Sequence, residues 1–389
     1  MSTAQISAQS TAYRPRILFL GENWYGSCAR ACCYALRRLG CDVTDLDIQT
    51  IIPQWRRRSN RVIIRLLHSR IVREYNQFIL DTAAQVRPDI LLAFKGSFVE
   101  ARTLEILRSS GITLYNYYPD TSPSTYDRHL AESIRGYDCI FYTKKFWAKA
   151  MPAGLEGKCL VFLPHGYDAE IHRSLPLQPE DQIRYGHDVI VVATHTQYKE
   201  WLLSKLVGQL PGLDLHIYGN GWSERSRSPE LKPHIHGFPL YGSEYAKSIR
   251  ASQISLGLIS GRARGITPED ETTTRTFEIP ACGGFMLHER TPELLELYEE
   301  GKEVACFGSV EELADKIQHY LAHPEERDAI ARAGHARCVP AYSYDNRVKE
   351  ILRYHEGASS IDPELAAVGN RRITSWSRVS ARARRAPQP

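Results

Sequence analysis

The sequence predicts an α/β protein made of two doubly wound, Rossmann-like domains that face one another across a cleft. Two observations support this fold class. Short apolar, β-rich runs alternate with helical patterns along the chain, an order typical of βαβ units and parallel sheets. The chain has 389 residues, more than one hydrophobic core usually serves, so two domains of ordinary size are expected.

The predicted strands form two series of six. The first series occupies residues 16–21, 41–47, 89–96, 112–120, 138–143 and 159–166, and the second occupies 188–195, 214–220, 234–238, 254–259, 283–289 and 303–309. Residues 171–187, which carry prolines and charges without periodicity, are expected to link the two domains. The predicted domains are therefore 14–170 and 188–340, preceded by a disordered N-terminus at 1–13.

Three consecutive helical segments without a strand close the globular part, at 310–323, 324–338 and 343–357. A terminal helix without a sheet of its own can pack on another domain, so residues 341–357 are expected to cross back to the first domain. The tail 358–389 has many arginines and is expected to be disordered.

Composition narrows the classes of function. The net charge is only +4, and the arginine clusters lack interleaved aromatics, so nucleic acid is not expected as a partner. No window approaches the roughly 18 apolar residues of a membrane span, and the first residues do not resemble a signal peptide. We therefore expect a cytoplasmic protein. Its nine cysteines include no CxxC pair, so buried thiols are expected and a metal site is not.

One basic segment allows two interpretations. A helical pattern from Arg56 to Arg73 places Ile63, Leu67 and Ile71 on one side and a set of arginines on another. That cationic face can be an ordinary solvated surface. It can also contact anionic lipid or a phosphorylated acceptor, which would place the protein peripherally at the inner face of the membrane.

In open α/β sheets, ligands bind beyond the carboxyl ends of the strands. In the first domain the loop containing Gly21, Gly26 and Ser27 follows the first strand, but it lacks the GxGxxG spacing and can equally be a plain turn. Asp120 follows the fourth strand, with a turn-capping role as the alternative. His165 follows the sixth strand, ahead of the predicted linker, and can be either structural or functional.

The second domain has more candidates. Lys199 lies on the first turn of a helix, where it can offset a diphosphate charge, or it can form a surface ion pair. The next strand ends in Gly219, Asn220 and Gly221.

The stretch 274–284 combines an arginine, a glutamate, a proline and two glycines. Pro280 predicts a helix start close to Thr276. A carboxylate such as Glu278 can accept hydrogen bonds from both ribose hydroxyls, while Gly283 and Gly284 would let the main chain approach a sugar phosphate. The alternative is an ion pair between Arg275 and Glu278, which leaves the double glycine unexplained.

RTFEIPACGGFML, with RTPELLELYEEGKEV and SVEELADKIQHYLAHPEER after it, resembles GT-B glycosyltransferases of the group 1 type, in particular the CgeB-like branch. The resemblance covers roughly residues 186–355 and continues more weakly through FLPHGYDAEIH, DCIFYT and YNYYPD. It implies a bacterial enzyme of polysaccharide biosynthesis. A nucleotide-diphosphate sugar donor would bind the second domain and a glycan or lipid-linked acceptor the first, without a cofactor or metal.

The resemblance also implies residue roles. Glu278 matches the ribose-binding glutamate, with Arg275 and Thr276 beside it, and Lys199 stands where a basic residue contacts the diphosphate. Gly219, Asn220, Gly221 and Phe238 match loops around the nucleotide, and His165 matches a cleft position. Asp270 stands eight residues before Glu278, where related retaining enzymes have a second glutamate, so retention is expected by analogy alone. The alternatives are a nucleotide-sugar epimerase or hydrolase of the same fold and a non-catalytic binding protein.

Overall fold

The computed structural model describes residues 14–51, 61–121, 128–148, 154–259 and 270–357. Two compact units emerge from the contacts within the chain. The first runs to Tyr142 and includes the segment ending at Val161, and the second begins at Phe162 and includes the segment starting at Thr143. Each unit has its own parallel sheet, which confirms the predicted α/β class.

The first sheet has six strands in the order β2-β1-β3-β4-β5-β6. In chain order its elements are β1 (Arg16–Gly21), α1 (Cys28–Arg38), β2 (Asp42–Asp47), α2 (Ile48–Ile51), α3 (Arg61–Val86), β3 (Ile90–Phe94), α4 (Ala101–Ser109), β4 (Thr113–Tyr118), α5 (Arg128–Ser133), β5 (Cys139–Tyr142) and β6 (Cys159–Phe162). β1 lies between β2 and β3, and Ile17 is paired with Val43 on one side and Ile90 on the other.

The second sheet has five strands in the order β11-β10-β9-β7-β8. Its elements are α6 (Pro179–Tyr185), β7 (Val189–Val192), α7 (Gln197–Gln209), β8 (Leu215–Tyr218), α8 (Trp222–Arg225), α9 (Gly242–Ala251), β9 (Ile254–Gly257), α10 (Arg275–Ala281), β10 (Met286–Glu289), α11 (Pro292–Leu297), β11 (Ala305–Phe307), α12 (Val310–Ala322), α13 (Pro324–Cys338) and α14 (Tyr344–His355).

Both faces of this second sheet are covered, as parallel sheets require. Val189 and Val191 of β7 pack into a core with helix α7, while Ile190 and Val192 pack into a core with helices α9 and α10. All four residues of β7 are buried, which explains why the strand has an unbroken apolar sequence.

One predicted strand is wrong. Residues 234–238 form no strand; Lys232–His234 is a short 3₁₀ turn, and Ile235 makes a single bridge to Ile217. Pro233 cannot donate a backbone hydrogen bond, and Gly237 has φ +74°, so the extended conformation does not continue on either side.

The segment expected to link the domains contains helix α6. Its side chains dock on α9, because Lys247 Nζ lies 3.0 Å from Asp181 and the Tyr185 hydroxyl donates to Glu244. The three predicted C-terminal helices are present as α12, α13 and α14. Helix α14 groups with the second unit, and its predicted return to the first domain stays a prediction.

The cysteines differ in part from expectation. Free thiols were expected, but Cys139 of β5 and Cys159 of β6 form a disulfide. The disulfide can form because the two neighbouring strands bring the Cα atoms of these cysteines to 4.6 Å from each other. The free cysteines of the described residues include five that are fully buried, at Cys32, Cys33, Cys282, Cys306 and Cys338.

The basic segment lies partly outside the described residues, since Arg56, Arg57 and Arg58 fall in the gap before α3. Within α3, Val72 and Ile79 are buried while Arg70 and Arg73 are exposed, so this part of the helix is amphipathic. Across the described ranges, no helix has both the length and the apolar content needed to cross a membrane. The lipid contact of this segment stays a prediction.

Candidate active site

The carboxyl end of β7 leads into the N-terminus of α7. The Thr196 side chain caps this helix by accepting a hydrogen bond from the Lys199 backbone nitrogen. Lys199 is only 4% exposed, and its ammonium donates to the Thr194 carbonyl at 3.2 Å. A buried cation therefore lies beside the free backbone N–H groups of a 13-residue helix, two features that favour an anion.

The surroundings of Lys199 disfavour its charged form. Burial and, to a smaller extent, the neighbouring Arg275 guanidinium lower its pKa to about 8, against the opposing effect of Glu289 and Asp270. Two like charges at a buried position repel each other unless an anion joins them. This pair is the strongest indication of a ligand in the second unit.

Arg275 is held at the start of α10 by three acceptors. Its Nε donates to the Val192 carbonyl at 2.6 Å, and its Nη1 donates to Thr274 Oγ1 and to the Glu278 carboxylate. The ion pair suggested as the alternative for Glu278 is thus present, and it aims the guanidinium at the carboxyl end of β7.

Glu278 is buried, with 5% of its surface exposed. Burial would raise its pKa, but the charge of the Arg275 guanidinium and its hydrogen bond keep the pKa below the usual value. His172 Nε2 lies 3.9 Å from Glu278. Burial lowers the pKa of His172, and its Nδ1 accepts from the Asp168 backbone nitrogen, so the imidazole is neutral. Glu278 is therefore an ionised, pre-oriented acceptor.

Pro280 lies inside α10 rather than in its first turn. It cannot donate to the Thr276 carbonyl, and the Tyr298 hydroxyl donates to that carbonyl instead, at 3.0 Å. The Thr276 side chain is fully buried and lies 2.9 Å from His288 Nε2. Thr276 thus anchors α10 through its contacts with His288 and Tyr298. Its direct contact with a donor stays a prediction.

The double glycine ends α10. Gly283 has φ +77°, and the Gly283 and Gly284 nitrogens donate to the Pro280 and Ile279 carbonyls. A Cβ on Gly284 would lie 2.5 Å from Ile249 Cγ2. Helix termination and packing on α9 explain both glycines without a ligand, and the donor contact predicted for them stays a prediction.

The loop after β8 is built by close backbone approach. Gly219 has φ +142°, and a Cβ there would lie 2.0 Å from the Ala193 carbonyl oxygen; Gly221 has φ +82°. Asn220 is exposed, with its carbonyl accepting from the His195 nitrogen. Phe238 is 45% exposed. This loop meets the residues after β7, so its exposed groups lie at the same carboxyl edge as His195.

Asp270 does not stand free. Lys144 Nζ donates to Asp270 Oδ1 at 2.6 Å and to the Thr272 carbonyl at 3.0 Å, and both side chains are more than nine-tenths buried. A buried ion pair of this kind fixes the strand-like segment that leads into α10. Lys144 was not among the predicted residues.

Two further carboxylates support this segment. Glu293 accepts from Thr272 Oγ1 at 2.6 Å, and Glu271 accepts from the Glu293 backbone nitrogen at 2.9 Å. Burial raises the pKa of Glu293 to about 7. The protein thus has a carboxyl group next to the Lys144 and Asp270 pair that titrates near neutrality.

His165 is buried and engaged by α14. Its Nδ1 lies 3.3 Å from the Tyr344 hydroxyl, and its carbonyl accepts from Arg347 Nε. The Arg347 guanidinium in turn stacks over the rings of Phe277 and Tyr342. These contacts give His165 a place in the packing between α14 and α10, and its catalytic role stays a prediction.

The first-unit candidates lie at the carboxyl edge of the first sheet. Ser27 caps α1 and donates to the Glu22 carbonyl, while Gly26 has φ +94°. Gly21 touches Ala29 closely, since a Cβ on it would lie 2.8 Å from that methyl group. The loop is therefore well explained as a capped turn.

Asp120, after β4, lies 2.7 Å from Lys95 Nζ, after β3. Lys95 has φ +69°, a backbone conformation that L residues rarely adopt and that often marks functional loops. The Lys95 and Asp120 pair is the most distinctive charged pair among the described residues at this edge, and Lys95 was missed by sequence reasoning.

The residues missed, Lys144, His172 and Lys95, share a property. Each meets its partner only through tertiary structure, and Lys144 is 126 positions from Asp270. Local spacing carries no signal for such pairs. The positive φ of Lys95, in the sequence LLAFKGSF, has a Gly beside it that hints at a tight turn.

Two parallel sheets covered by helices, each in its own unit, with the basic residues Lys199 and Arg275 at the carboxyl edge of the second sheet, define the GT-B class of fold. Over residues 196–353 the chain matches the model of the family described as glycosyl transferase-like.

Known proteins agree with this class. The spore protein CgeB of Bacillus subtilis (strain 168) is 28% identical over 81 residues, which are 21% of this chain and 24% of CgeB. The alignment thus spans about a quarter of that relative. The findings confirm the resemblance to GT-B glycosyltransferases of the CgeB-like branch.

Solved structures share the fold over nearly the whole chain. Sucrose-phosphate synthase from Thermosynechococcus elongatus has a TM-score of 0.64 at 12% identity, covering 89% of this chain and 100% of its own. HepE of Anabaena, in complex with UDP and glucose, has a TM-score of 0.59 at 14% identity, covering 88% and 100%. At these identities the likeness concerns the fold alone.

Proposed function

We propose that the protein is a glycosyltransferase that moves a sugar from a nucleotide-diphosphate donor, held by the second unit, to a glycan, lipid-linked or cell-envelope polysaccharide acceptor. The family match over residues 196–353 and the UDP complex of HepE support a nucleotide sugar as the donor. The protein would act in the cytoplasm, without nucleic acid as a partner.

The observation that carries the proposal is the repulsion between Lys199 and Arg275. Both cations converge on the carboxyl end of β7, and Arg275 contributes to the lowered pKa of Lys199. A diphosphate would neutralise both charges and accept from the N-terminal N–H groups of α7. These groups can hold the diphosphate with no metal ion.

The remaining residues would contact different parts of the donor. Glu278, ionised and buried, would accept hydrogen bonds from the two ribose hydroxyls. Gly219, Asn220, Gly221 and Phe238 would surround the nucleotide. In the reaction, negative charge develops on the departing diphosphate, so Lys199 and Arg275 would stabilise the leaving group in the transition state.

Retention of the anomeric configuration is proposed by analogy with related enzymes. Asp270 is paired with Lys144, so it would orient the segment near the transferred sugar rather than attack it. NMR of the anomeric proton in the first product formed tests this, and an inverted product would exclude it.

Thermal melting with a panel of nucleoside diphosphates and nucleotide sugars in EDTA tests donor binding. One nucleotide family should raise the melting temperature, and Glu278→Gln and Lys199→Met should each abolish the shift. Lys205→Ala, at an exposed position on the same helix, is the matched control and should keep it. No shift with any nucleotide would contradict the proposal and favour a non-catalytic binding protein.

A product assay separates transfer from the other reactions of this fold. The donor identified by melting is incubated with candidate acceptors, and nucleotide release is compared with glycosylated product. Nucleotide release without any acceptor product, or an isomerised nucleotide sugar, would replace the transferase proposal with a hydrolase or epimerase.

A further inference from the structure

A second polar cluster lies at the amino ends of β7 and β8, the opposite end of the sheet from Lys199. His187 precedes β7, Asp214 directly precedes β8, and His216 lies in β8. One ligand atom from each of these three residues lies within 4.8 Å of the others. Neither the donor site nor the family match accounts for this convergence.

The distances in the cluster suit a metal ion. His187 Nδ1 lies 3.1 Å from Asp214 Oδ2, and His216 Nε2 lies 2.8 Å from Asp214 Oδ1. Bonds of about 2.0–2.1 Å to a tetrahedral zinc ion put neighbouring ligand atoms about 3.3 Å apart. The His187 and His216 rings are stacked, with 3.2 Å between their centroids, so binding one ion would require the two rings to rotate out of this stack.

The orientation of His187 gives an independent indication. Its Nε2 lies 3.0 Å from the Arg184 carbonyl oxygen, which only accepts, so Nε2 carries a proton. The other nitrogen, Nδ1, then faces the Asp214 carboxylate, which is also an acceptor. A metal ion bound between these two atoms would accept a lone pair from each.

His216 is oriented in the same manner. Its Nδ1 lies 2.6 Å from His236 Nε2, so one proton is shared between the two rings. The His236 ring stacks on Tyr218 at 4.2 Å between ring centres. A histidine ligand whose second nitrogen is hydrogen-bonded to a fixed partner is the usual arrangement around protein-bound metals.

We propose that His187, Asp214 and His216 bind a divalent transition-metal ion of the Zn²⁺ class, with His236 as a positioning residue. Two imidazoles and one carboxylate match the preferences of such ions, and a water molecule can complete the coordination. The ion would link the residues before β7 to the start of β8. Its role is to stabilise the second unit, and it takes no part in donor binding.

The test uses the full chain after stripping with EDTA and dialysis into metal-free buffer. Titration calorimetry with ZnCl₂ should show one site, and CoCl₂ should give the visible absorption of a low-symmetry cobalt site without sulfur-to-metal charge transfer. The last point separates the proposed site from the free cysteines. Zinc should also raise the melting temperature.

His187→Gln and Asp214→Asn should each weaken the first equivalent of zinc at least tenfold and remove the thermal shift. Their melting temperatures in EDTA are compared with the unmodified chain, to show that both variants fold. His319→Gln is the matched control, since His319 pairs with Glu326 at 2.8 Å and stacks on His323. It should leave the zinc site intact.

Zinc binding that persists in the His187 and Asp214 variants would overturn the proposal, as would the absence of a one-equivalent site in the unmodified chain. The donor titrations in EDTA do not depend on this outcome, so the two proposals fail separately.

Discussion

Two buried carboxylates of the second unit are compensated by ion pairs, whereas Lys199 is not. Asp270 is matched by Lys144, and Glu278 by Arg275, which offsets part of the cost of removing each charge from water. The Lys199 ammonium donates to the Thr194 carbonyl and has a like charge, Arg275, nearby. The buried Lys199 ammonium therefore destabilises the unliganded protein, and a bound anion would offset that cost.

That imbalance predicts opposite pH effects on stability and on binding. The folded-state pKa of Lys199, about 8, lies below its ordinary value of 10.5, so the unfolded chain binds more protons between these values. This group therefore makes the unliganded protein more stable as the pH rises from 8 to 10.5. Nucleotide affinity should fall over the same range, by up to about tenfold per pH unit.

Urea unfolding and nucleotide titration at pH 7, 8 and 9 measure both effects, each relative to Lys199→Met. The difference in stability between the two proteins should change with pH, and the affinity of the variant should be low and nearly constant. An affinity in the unmodified chain that does not change up to pH 9 would show that the Lys199 ammonium does not contact the diphosphate.

Glu293 gives a second prediction from a buried charge. Burial raises its pKa from 4.5 to about 7, so the folded state binds the extra proton and stability is lost as the pH rises from 4.5 through 7. Glu293→Gln keeps an acceptor for Thr272 and removes the charge. At pH 8 it should stabilise the protein, by up to about 3 kcal/mol, with little effect at pH 4.5.

Unfolding free energies at pH 4.5, 6 and 8 check this, with the exposed Glu325→Gln as control. If the difference between Glu293→Gln and the parent were the same at all three pH values, Glu293 would titrate at its ordinary pKa. The site would then lack the neutral carboxyl group beside Lys144.

At the scale of elements, helix α10 depends on its tertiary contacts for stability. A helix of seven residues with an internal proline has little stability of its own. It is held by Tyr298 on the Thr276 carbonyl, by His288 on the Thr276 side chain and by α9 against Gly284. The placement of Glu278 depends on these three contacts.

Gly284→Ala should therefore lower stability by about 1–3 kcal/mol, the usual cost of overpacking, since the new methyl group meets both the side chain and the backbone of Ile249. Gly208→Ala is the matched control. Position 208 lies in α7 with nothing within 4 Å of the new methyl group, so the change should stabilise slightly. Denaturant unfolding of both variants provides the comparison. A neutral Gly284→Ala would mean that the close packing of α9 and α10 is not required.

The elements themselves could largely be predicted from the sequence. Buried parallel strands have continuous apolar runs bounded by Gly, Asp and Asn, and this local signal located β1 to β11 within a few residues. The exception, 234–238, has the alternation of a strand but a proline and a glycine that stop it from pairing beyond Ile235.

The site could be predicted only where it depends on sequence neighbours. Lys199 near a helix start, and Arg275 with Glu278 one turn apart, follow from spacing. His172 against Glu278 and Lys144 against Asp270 depend on tertiary packing, as does the anchoring of His165 by α14. The double glycine also ends α10, a role that the spacing did not indicate, and its donor contact stays a prediction.

At the scale of the molecule, two units with separate cores imply separable functions. The residues proposed to bind the donor lie in the second unit, whereas the Lys95 and Asp120 pair lies at the carboxyl edge of the first sheet. The strained backbone at Lys95 has a cost that surrounding contacts must offset, and such positions are concentrated at functional sites. Asp120 is accordingly the first-unit residue most suited to contact the acceptor.

Asp120→Asn should therefore leave nucleotide affinity, measured by the thermal shift in EDTA, unchanged and should lower the rate of transfer by about 10²-fold or more, the typical contribution of a positioned acid or base. Glu105→Gln, exposed on α4 of the same unit, should change neither quantity. A charge lost from a purely structural ion pair would instead lower the melting temperature and leave transfer intact at low temperature. Equal losses of nucleotide affinity and transfer would assign Asp120 to donor binding and contradict the separation of functions between the units.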